Sequence, residues 1–361
     1  MGVTFSFPMI QRSLADAIPM SMGKGFKLED ETDLASQLLC GYENYRGDLP
    51  PITISAIAND SVSTLISFIY QYSTSAERKA SMGLIVGTGC NATVPLPAST
   101  LGHKLEDVHL NAGTEFVAPD TRIAVNTEWS INGTGAPLRA FGLITKWDEE
   151  LDHNCEVPGF QPLEYLTAGR YIGELGRIIF LDYLTTELHI APNLLPAELR
   201  ERHSMSTTFL SYFGPPNARF LEKLEAAYPS VEGGTGFTWD ESHVAILYEI
   251  AQAIERRAAS ILAAATIALL RVSGDIPAAS EFVSTDRETV LGIGYTGGCI
   301  VNFQNYLYDY ERLIKQILAA DFGGASPVKV QLMACHHGGI TGAGILAAGV
   351  VALQNLKRAG Q

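Results

Sequence analysis

Short apolar runs along the chain alternate with longer stretches whose apolar residues recur every three to four positions, a pattern of strands separated by helices. The opening Gly2-Val3-Thr4-Phe5-Ser6-Phe7-Pro8 predicts a strand with a proline stop. Further strands are expected over residues 52–58, 83–86, 122–125, 288–292, 299–303 and 328–333. Helices are expected over 31–45 and over 161–188, where Leu163, Leu166, Ile172, Leu175, Ile179 and Tyr183 are spaced for one face. Another is expected over 242–272, introduced by the acids Asp240 and Glu241, and its Ala-rich second half has to be buried. This alternation specifies an α/β protein with mostly parallel sheets, and the change of character near Asn59 marks an expected domain edge.

Two of the runs end on chemistry. Residues 54–58 are apolar and close on the polar pair Asn59 and Asp60, so a buried strand delivers a carboxylate to its carboxyl end, where α/β sheets hold their ligands. Asp is also a favoured N-cap, and Ser61-Val62-Ser63-Thr64-Leu65 is a suitable helix start, so capping and catalysis are both open to Asp60. Residues 83–86 break into Gly87-Thr88-Gly89, a turn whose backbone amides and hydroxyl suit a phosphate.

Composition narrows the function classes. With 361 residues, 47% of them hydrophobic and 18% charged, the chain has enough apolar material for one large or two ordinary domains. A net charge of −14 opposes general attraction to nucleic acid or an anionic membrane, so a phosphorylated substrate needs Mg²⁺ and aimed local donors. The five cysteines are an odd number without C-x-x-C spacing, which fits a reducing cytoplasm rather than a disulfide frame or a zinc site. The pair His336-His337 has no partner at ligand spacing, so no metal site is expected. Asn-x-Ser/Thr triplets at Asn59, Asn91 and Asn132 follow no secretory signal and read as chance. Residues 338–356 carry no charge, but their five glycines and closing Gln354-Asn355 favour a glycine turn leading into an Ala-rich helix over a membrane span.

The order of motifs adds a resemblance. Thr4-Phe5-Ser6-Phe7-Pro8, Gly23-Lys24-Gly25-Phe26, Asn59-Asp60-Ser61-Val62, Gly87-Thr88-Gly89-Cys90-Asn91 and Val125-Asn126-Thr127-Glu128-Trp129 succeed one another. Pro158-Gly159, Glu164, residues 169–175 and Arg257-Ala258-Ala259 follow. The ordered set resembles the eukaryotic hexokinase family over nearly the whole chain. The resemblance implies an actin-like ATPase (RNase H-like) sugar kinase fold, with residues 1–59 belonging to a small domain and 60–361 forming a large one. It implies ATP-dependent phosphorylation of a hexose or hexosamine at the 6-hydroxyl, with Mg²⁺, as the first step of sugar use. Asp60 is then the base. Ser6, Lys24, Asn59, Asn91, Glu128 and Glu164 are sugar contacts, and Gly87, Thr88, Gly89, Gly297, Gly298, Gly338 and Gly339 serve ATP.

Departures from the family pattern concentrate at the nucleotide end. The family's first phosphate loop, Asp-x-Gly-Gly-Thr-x-x-Arg, is missing, and Gly233-Gly234-Thr235 lacks the required Asp, so an N-terminally truncated chain is expected. Gly23 stands where Thr is usual, Thr296 where Asp is usual, and His337-Gly338-Gly339 where an acid, Gly and Ser are usual. The loop Ala92-Thr93-Val94-Pro95-Leu96-Pro97 is similar to that of divergent fungal hexokinases, N-acetylglucosamine kinases among them. A non-catalytic sugar sensor and an N-acetylglucosamine kinase are therefore alternatives. A dinucleotide-binding reading of Gly292-Ile293-Gly294-Tyr295-Thr296-Gly297 requires a helix next, whereas residues 298–303 are expected to continue as a strand after a glycine-cornered hairpin.

Overall fold

The computed structural model describes residues 1–20, 33–72, 74–102, 121–131, 133–230, 237–281, 288–324 and 326–359. The sequence expectations for Gly23, Lys24, Asn132 and residues 233–235 lie outside the described residues. The chain opens with strands β1 (Gly2–Thr4), β2 (Met9–Ile10) and β3 (Ile18–Pro19), then helix α1 (Leu34–Tyr45). Next come β4 (Ala56–Ala58), α2 (Asp60–Gln71), β5 (Arg78–Val86), β6 (Cys90–Pro97) and β7 (Arg122–Asn126). A helical stretch follows with α3 (Gly135–Ala140), α4 (Lys146–His153), α5 (Pro162–Thr167), α6 (Gly169–Asp182), α7 (Ala197–Arg200), α8 (Thr207–Ser211), α9 (Ala218–Ala227) and α10 (Glu241–Val272). The last elements are β8 (Thr289–Thr296), α11 (Gly298–Asn302), α12 (Tyr306–Asp321), β9 (Val328–Ala334) and α13 (Gly338–Ala359).

Five strands form the main sheet in the order β7-β6-β5-β8-β9. The pairs β5/β8 and β8/β9 are parallel, while β5/β6 and β6/β7 are antiparallel, so the sheet is mixed and not mostly parallel as expected. β6 is not expected from the residue pattern because it carries Pro95 and Pro97. Both prolines lie beyond Thr93, the last β6 residue with a partner on β5, so no ladder bond to β5 is lost there. Beside this sheet, β1 and β4 make a parallel pair, with Gly2 opposite Ala56 and Thr4 opposite Ala58.

Helix α2 lies directly on β5 and β8, and glycines permit the approach. A Cβ on Gly83 would sit 2.6 Å from the Leu65 amide nitrogen, and one on Gly294 would sit 2.5 Å from the Phe68 ring. Gly292 meets Tyr72 and Phe68 in the same way. The first two glycines of the G-x-G-x-x-G run are therefore packing residues inside a strand, and no hairpin forms there. The run ends in a turn that opens α11, so the strand expected over 299–303 is instead a short helix. Cys299 and Ile300 are buried from one side of that helix while Val301 is half exposed, which an isolated apolar run does not distinguish from a strand.

On the other face, α10 runs through the core. Ala251, Ala258, Ala259 and Ala263 on it are fully buried, as its Ala-rich composition required. The helix expected over 161–188 is divided in two, because Ala168 takes an extended conformation (φ −104°, ψ 149°) between α5 and α6. The chain's last helix, α13, has a mean hydropathy of 1.5 over its most apolar window and is long enough to cross a membrane by length and composition. In this fold it packs against α2, β1 and β4 through Gly338, Gly342, Ala343 and Ala347. A Cβ on Gly342 would fall 1.9 Å from the Ser63 carbonyl oxygen, so α13 and α2 touch backbone to backbone.

Candidate active site

The β4–α2 junction sets the first part of the site. Asn59 caps α2, its Oδ1 accepting from the Ser61 amide at 2.9 Å and the Ser61 hydroxyl at 2.8 Å. Asp60 is thus the first residue of the helix and not its cap, so the capping role its sequence context offered belongs to Asn59. The helix amides there favour a negative side chain. Across from it, the stretch after β1 brings Ser6, and α5 brings Glu164. Ser6, Asn59, Asp60, Asn91, Glu128 and Glu164 all line one cavity of about 410 Å³.

A bond network braces that cavity. Glu128 Oε1 accepts from Asn91 Nδ2 at 3.0 Å and from Asn126 Nδ2 at 2.8 Å. Asn91 Nδ2 also reaches Asn126 Oδ1 at 2.8 Å and Asn59 Oδ1 at 3.3 Å. The Glu128 carboxylate is half-buried among amide donors, and hydrogen bonds to an ionised acceptor are stronger than neutral ones. Glu128 holds a left-handed backbone with φ 42°, a conformation that costs a side-chain-bearing residue about 1–3 kcal/mol and is kept where the surroundings fix it. Glu164 is 3% exposed, and its Oε2 accepts from the Cys90 amide at 2.9 Å, which ties α5 to the glycine turn.

Sequence reasoning did not single out Asn126 or Gln161. Asn126 is the last residue of β7, and the left-handed turn at Glu128 brings the Glu128 carboxylate back within 2.8 Å of the Asn126 amide nitrogen. Gln161 lines the cavity at 3% exposure, and a buried amide has no signature in an unaligned sequence.

A second cavity, of about 810 Å³, adjoins the first, and Gly87 and Thr88 line both. The glycine turn between them is anchored from behind. Gly87 and Thr88 present their carbonyls to the amides of Gly169 at 2.8 Å and Arg170 at 3.2 Å, at the start of α6. Gly298 lines the larger cavity, whereas Gly89, Gly297 and Gly339 line the smaller one. Gly297 has φ 128°, and a Cβ there would lie 2.2 Å from the Val86 carbonyl oxygen, so only glycine closes this corner. Gly338, expected from the resemblance to serve ATP, stands in a packing position. It lines neither cavity, and a Cβ there would press on Cys335 and Thr64.

The remainder of the larger cavity comes from a region with no prior expectation. Ser206, Thr207 and Ser211 supply hydroxyls around α8, and Met205, Tyr212 and Phe303 supply apolar and aromatic surface. Thr207 is already used on both sides, donating to the Gly169 carbonyl and accepting from the Gly173 amide at 2.8 Å. Burial raises the Cys299 thiol well above its usual range, so it stays neutral. The arrangement offers a polar, carboxylate-lined pocket for a hydroxylated ligand beside a larger pocket that suits a base and an anion.

Comparison with known proteins identifies a family and a fold. A family model described as hexokinase matches residues 81–349, and a second with the same description matches residues 1–70. Rice hexokinase-7 is 28% identical over 355 residues, covering 96% of this chain and 68% of that protein. Rat hexokinase-2 is 30% identical over 275 residues, covering 75% of this chain and 27% of that protein. The chain thus spans about two thirds of the rice relative and roughly a quarter of the rat one. Among solved structures, a Schistosoma mansoni hexokinase complexed with glucose superposes with a TM-score of 0.70 at 23% identity, over 96% of this chain and 69% of that one. Another hexokinase superposes with a TM-score of 0.66 at 21% identity, over 97% of this chain and 67% of that one. The fold is the α/β, actin-like fold of these sugar kinases.

Proposed function

The chain belongs to the hexokinase family, and from that premise we propose that it transfers the terminal phosphoryl group of ATP to the 6-hydroxyl of a hexose or hexosamine. One observation carries the proposal. The pocket that holds Asp60 and the larger pocket meet at Gly87-Thr88, so a sugar in one and a nucleotide in the other face each other across a phosphate-sized bend.

In this reading Asn59, Asn91, Glu128 and Glu164 hold the sugar through its hydroxyls, with Ser6 closing the side toward β1. Lys24, from the same motif order, is assigned to the sugar as well. Phosphoryl transfer requires little covalent chemistry from the protein beyond position, charge and one proton acceptor. Asp60 takes the proton of the 6-hydroxyl as its oxygen bonds to the terminal phosphorus and the bridging oxygen leaves with ADP. The Thr88 hydroxyl and the amides of the Gly297 corner donate to phosphate oxygens, while the Gly87 amide shapes the turn by donating to the Gly89 carbonyl at 2.9 Å. Mg²⁺ bound to the phosphates offsets their charge. Among the described residues no group of three or more His, Cys, Asp or Glu is gathered to hold a metal, so the nucleotide's own oxygens are its main ligands in this reading.

The division into a small lobe of residues 1–59 and a large lobe of residues 60–361 belongs to the same proposal. It is supported by the separate β1/β4 pair on one side of the cleft and the five-stranded sheet on the other. A cytoplasmic setting is proposed with it, and none of the five cysteines forms a disulfide.

The test is a coupled ADP-release assay on the chain with glucose, fructose, mannose, glucosamine and N-acetylglucosamine. Sugar-dependent ADP release with at least one of them is expected. Absence of release with all five, in protein that binds both sugar and Mg-ATP by calorimetry, refutes the proposal.

A further inference from the structure

We propose that Asn126 is the positioning residue that fixes how the smaller pocket presents Asn91 and Glu128 to the sugar, an inference that rests on the phosphotransfer reading above. Asn126 lines neither cavity, so it acts through its neighbours and not on a ligand. It is the last residue of β7 and pairs with Thr93 on β6. The residue after it is pinned twice to the Ala92 carbonyl, by the Thr127 amide at 3.1 Å and the Thr127 hydroxyl at 2.8 Å. The Asn126 side chain therefore leaves a backbone that the sheet already holds.

Each end of that side chain has one assignment. Asn126 Oδ1 accepts from Asn91 Nδ2 at 2.8 Å and from the Ser61 hydroxyl at 3.4 Å, and Asn126 Nδ2 donates to Glu128 Oε1 at 2.8 Å. Turned over, the amide would set its oxygen against the Glu128 carboxylate and its hydrogens against those of Asn91. Asn91 is constrained in the same way. Its Oδ1 accepts from the Ala92 amide at 2.8 Å. Its Nδ2 carries two hydrogens for three oxygens, Asn126 Oδ1 at 2.8 Å, Glu128 Oε1 at 3.0 Å and Asn59 Oδ1 at 3.3 Å. The two nearest of these belong to Asn126 and Glu128, which are bonded to each other, so the three side chains close a ring in which Asn126 supplies one donor and one acceptor.

What the ring sets is direction. Both short bonds to Glu128 arrive at Oε1, which fixes the rotation of the carboxylate, and the bond from Asn126 also helps to hold the left-handed backbone of Glu128 (φ 42°). Hydrogen bonds to a sugar weaken steeply with angle, so affinity depends on how these amides and carboxylates are turned as well as on their presence. Asn126→Ala leaves Asn91 and Glu128 in place but free to turn. Asn126→Asp is the sharper change, because the new carboxylate still accepts from Asn91 and Ser61 but faces Glu128 with a like charge. Two carboxylates in contact hold one proton between them until the pH is high enough to remove it.

Calorimetry with the full chain tests this, using the five sugars of the release assay and Mg-ATP as probes. The proteins compared are wild type, Asn126→Ala, Asn126→Asp, and the double variant Asn126→Asp with Glu128→Gln. Asn126→Ala is expected to weaken binding of the sugar that wild type holds most tightly about tenfold, with Mg-ATP affinity unchanged. Asn126→Asp is expected to bind that sugar nearly as wild type does at about pH 5, where the two carboxylates share a proton, and about tenfold or more weakly at about pH 8, where it is lost. Asp60, Glu164 and the Cys90 thiol, the other titratable groups among the described residues lining that cavity, are common to all four proteins, so their titration cancels in the comparison. The double variant again sets one amide against one carboxylate, and its pH dependence is expected to return to that of wild type. Unchanged sugar affinity in Asn126→Ala, or an equal loss for Mg-ATP, overturns the inference while leaving the phosphotransfer reading intact. If Asn126→Ala does not fold, Asn126→Asp decides, and a sugar affinity that follows the wild-type pH profile, or a pH dependence that persists in the double variant, overturns it. A wild-type chain that binds none of the five sugars overturns the reading of the smaller pocket as well.

Discussion

Replacing Glu255 by Gln should stabilise this protein at pH 8 and leave its stability almost unchanged near pH 4. Glu255 lies mid-way along α10, 1% exposed, opposite Asp309 on α12, which is itself 8% exposed. Burial, and then the charge of Asp309, push its carboxyl from the ordinary 4.5 up to about 7, while Arg256 and Arg312 pull in the other direction. Arg312 Nε donates to Asp309 Oδ1 at 2.9 Å, and the raised Glu255 carboxyl keeps its proton below about pH 7 and hydrogen-bonds Asp309. The Tyr306 hydroxyl, the other titratable group near it, is fully buried, donates to the Thr167 carbonyl at 3.1 Å and stays neutral.

A carboxyl whose pKa is higher folded than unfolded favours folding most below about 4.5, where both states carry the proton. Between there and about 7 the unfolded chain has released the proton while the folded protein retains it, so stability falls as pH rises. At about 1.4 kcal/mol per pH unit, the full interval corresponds to a loss of roughly 3 kcal/mol. Gln has the same shape without the charge, so it escapes this loss. Since Glu255 Oε1 is buried with no hydrogen-bond partner, one end of the amide also stays unmatched, and the expected gain at pH 8 is about 1–3 kcal/mol. Urea unfolding of wild type and Glu255→Gln between pH 4 and 8 measures it. A difference between the two proteins that does not change with pH refutes the reasoning, because it assigns Glu255 no titration in that range.

Asp60→Asn should lower kcat by about 10²–10⁴-fold with sugar affinity preserved, as removal of a proton acceptor requires, and retained turnover in the coupled assay removes Asp60 from that role. Glu128→Gln exchanges the acceptor of the Asn91 and Asn126 amides for a mixed group. It should weaken sugar binding about tenfold or more by calorimetry and lower stability by about 1–3 kcal/mol, and unaltered binding would show that the network does not shape the pocket. Gly297→Ala forces a Cβ toward the Val86 carbonyl at φ 128°, whereas the nearest atom to a Cβ on Gly298 is 3.8 Å away. The first should lose at least about 1–3 kcal/mol in thermal unfolding and the second very little, and equal tolerance of both would discount the corner.

The sequence revealed the parts of the fold where one pattern dominates. Residues 54–60 show an apolar run ending on Asn and Asp, and the structure places that pair at the mouth of the cleft. Where two patterns overlap, reading failed. Residues 299–303 are apolar whether they pair with a strand or turn as one buried helical face, and only packing beside β5 and α12 selects the helix. The split at Ala168 was invisible because helix-like spacing runs through it. The cause is non-local, since the Gly169 amide is taken by the Gly87 carbonyl far away in the chain. Most of the larger cavity was equally hidden. Ser206, Thr207 and Ser211 are ordinary polar residues until α6 and α8 bring them opposite the glycine turn. In the smaller pocket Asn59 and Asp60 stood out because they close an apolar run, whereas Ser6, Asn91, Glu128 and Glu164 were singled out only through the resemblance carried by the order of motifs.

The start of α6 joins these two pockets mechanically. Its first two amides hold the carbonyls of Gly87 and Thr88, and Thr207 bonds the Gly169 carbonyl and the Gly173 amide from the α8 side. A Cβ on Gly173 would lie 2.4 Å from the Thr207 amide nitrogen, so α6 and α8 are in backbone contact. Further along, the buried pair Glu174 and Arg177 locks the same helix, with Glu174 Oε2 accepting from the His203 amide and Arg177 donating to the Leu199 carbonyl at 3.1 Å. Removing one member of such a pair leaves an uncompensated buried charge, so this side of the site is stiff. The other side is fastened differently. Thr4 donates to the Gly339 carbonyl at 2.7 Å, Asn59 Nδ2 reaches Glu128 Oε1 at 3.5 Å, and Ser6 lines the same cavity as Glu128 and Glu164. Both sides of the site are thus fixed by backbone contacts, α6 against α8 and the glycine turn, and β1 against α13, where a Cβ on Gly2 would fall 2.0 Å from the Ala343 carbonyl oxygen. A transfer reaction needs its reacting groups held in place, and this packing fixes the two pockets relative to each other.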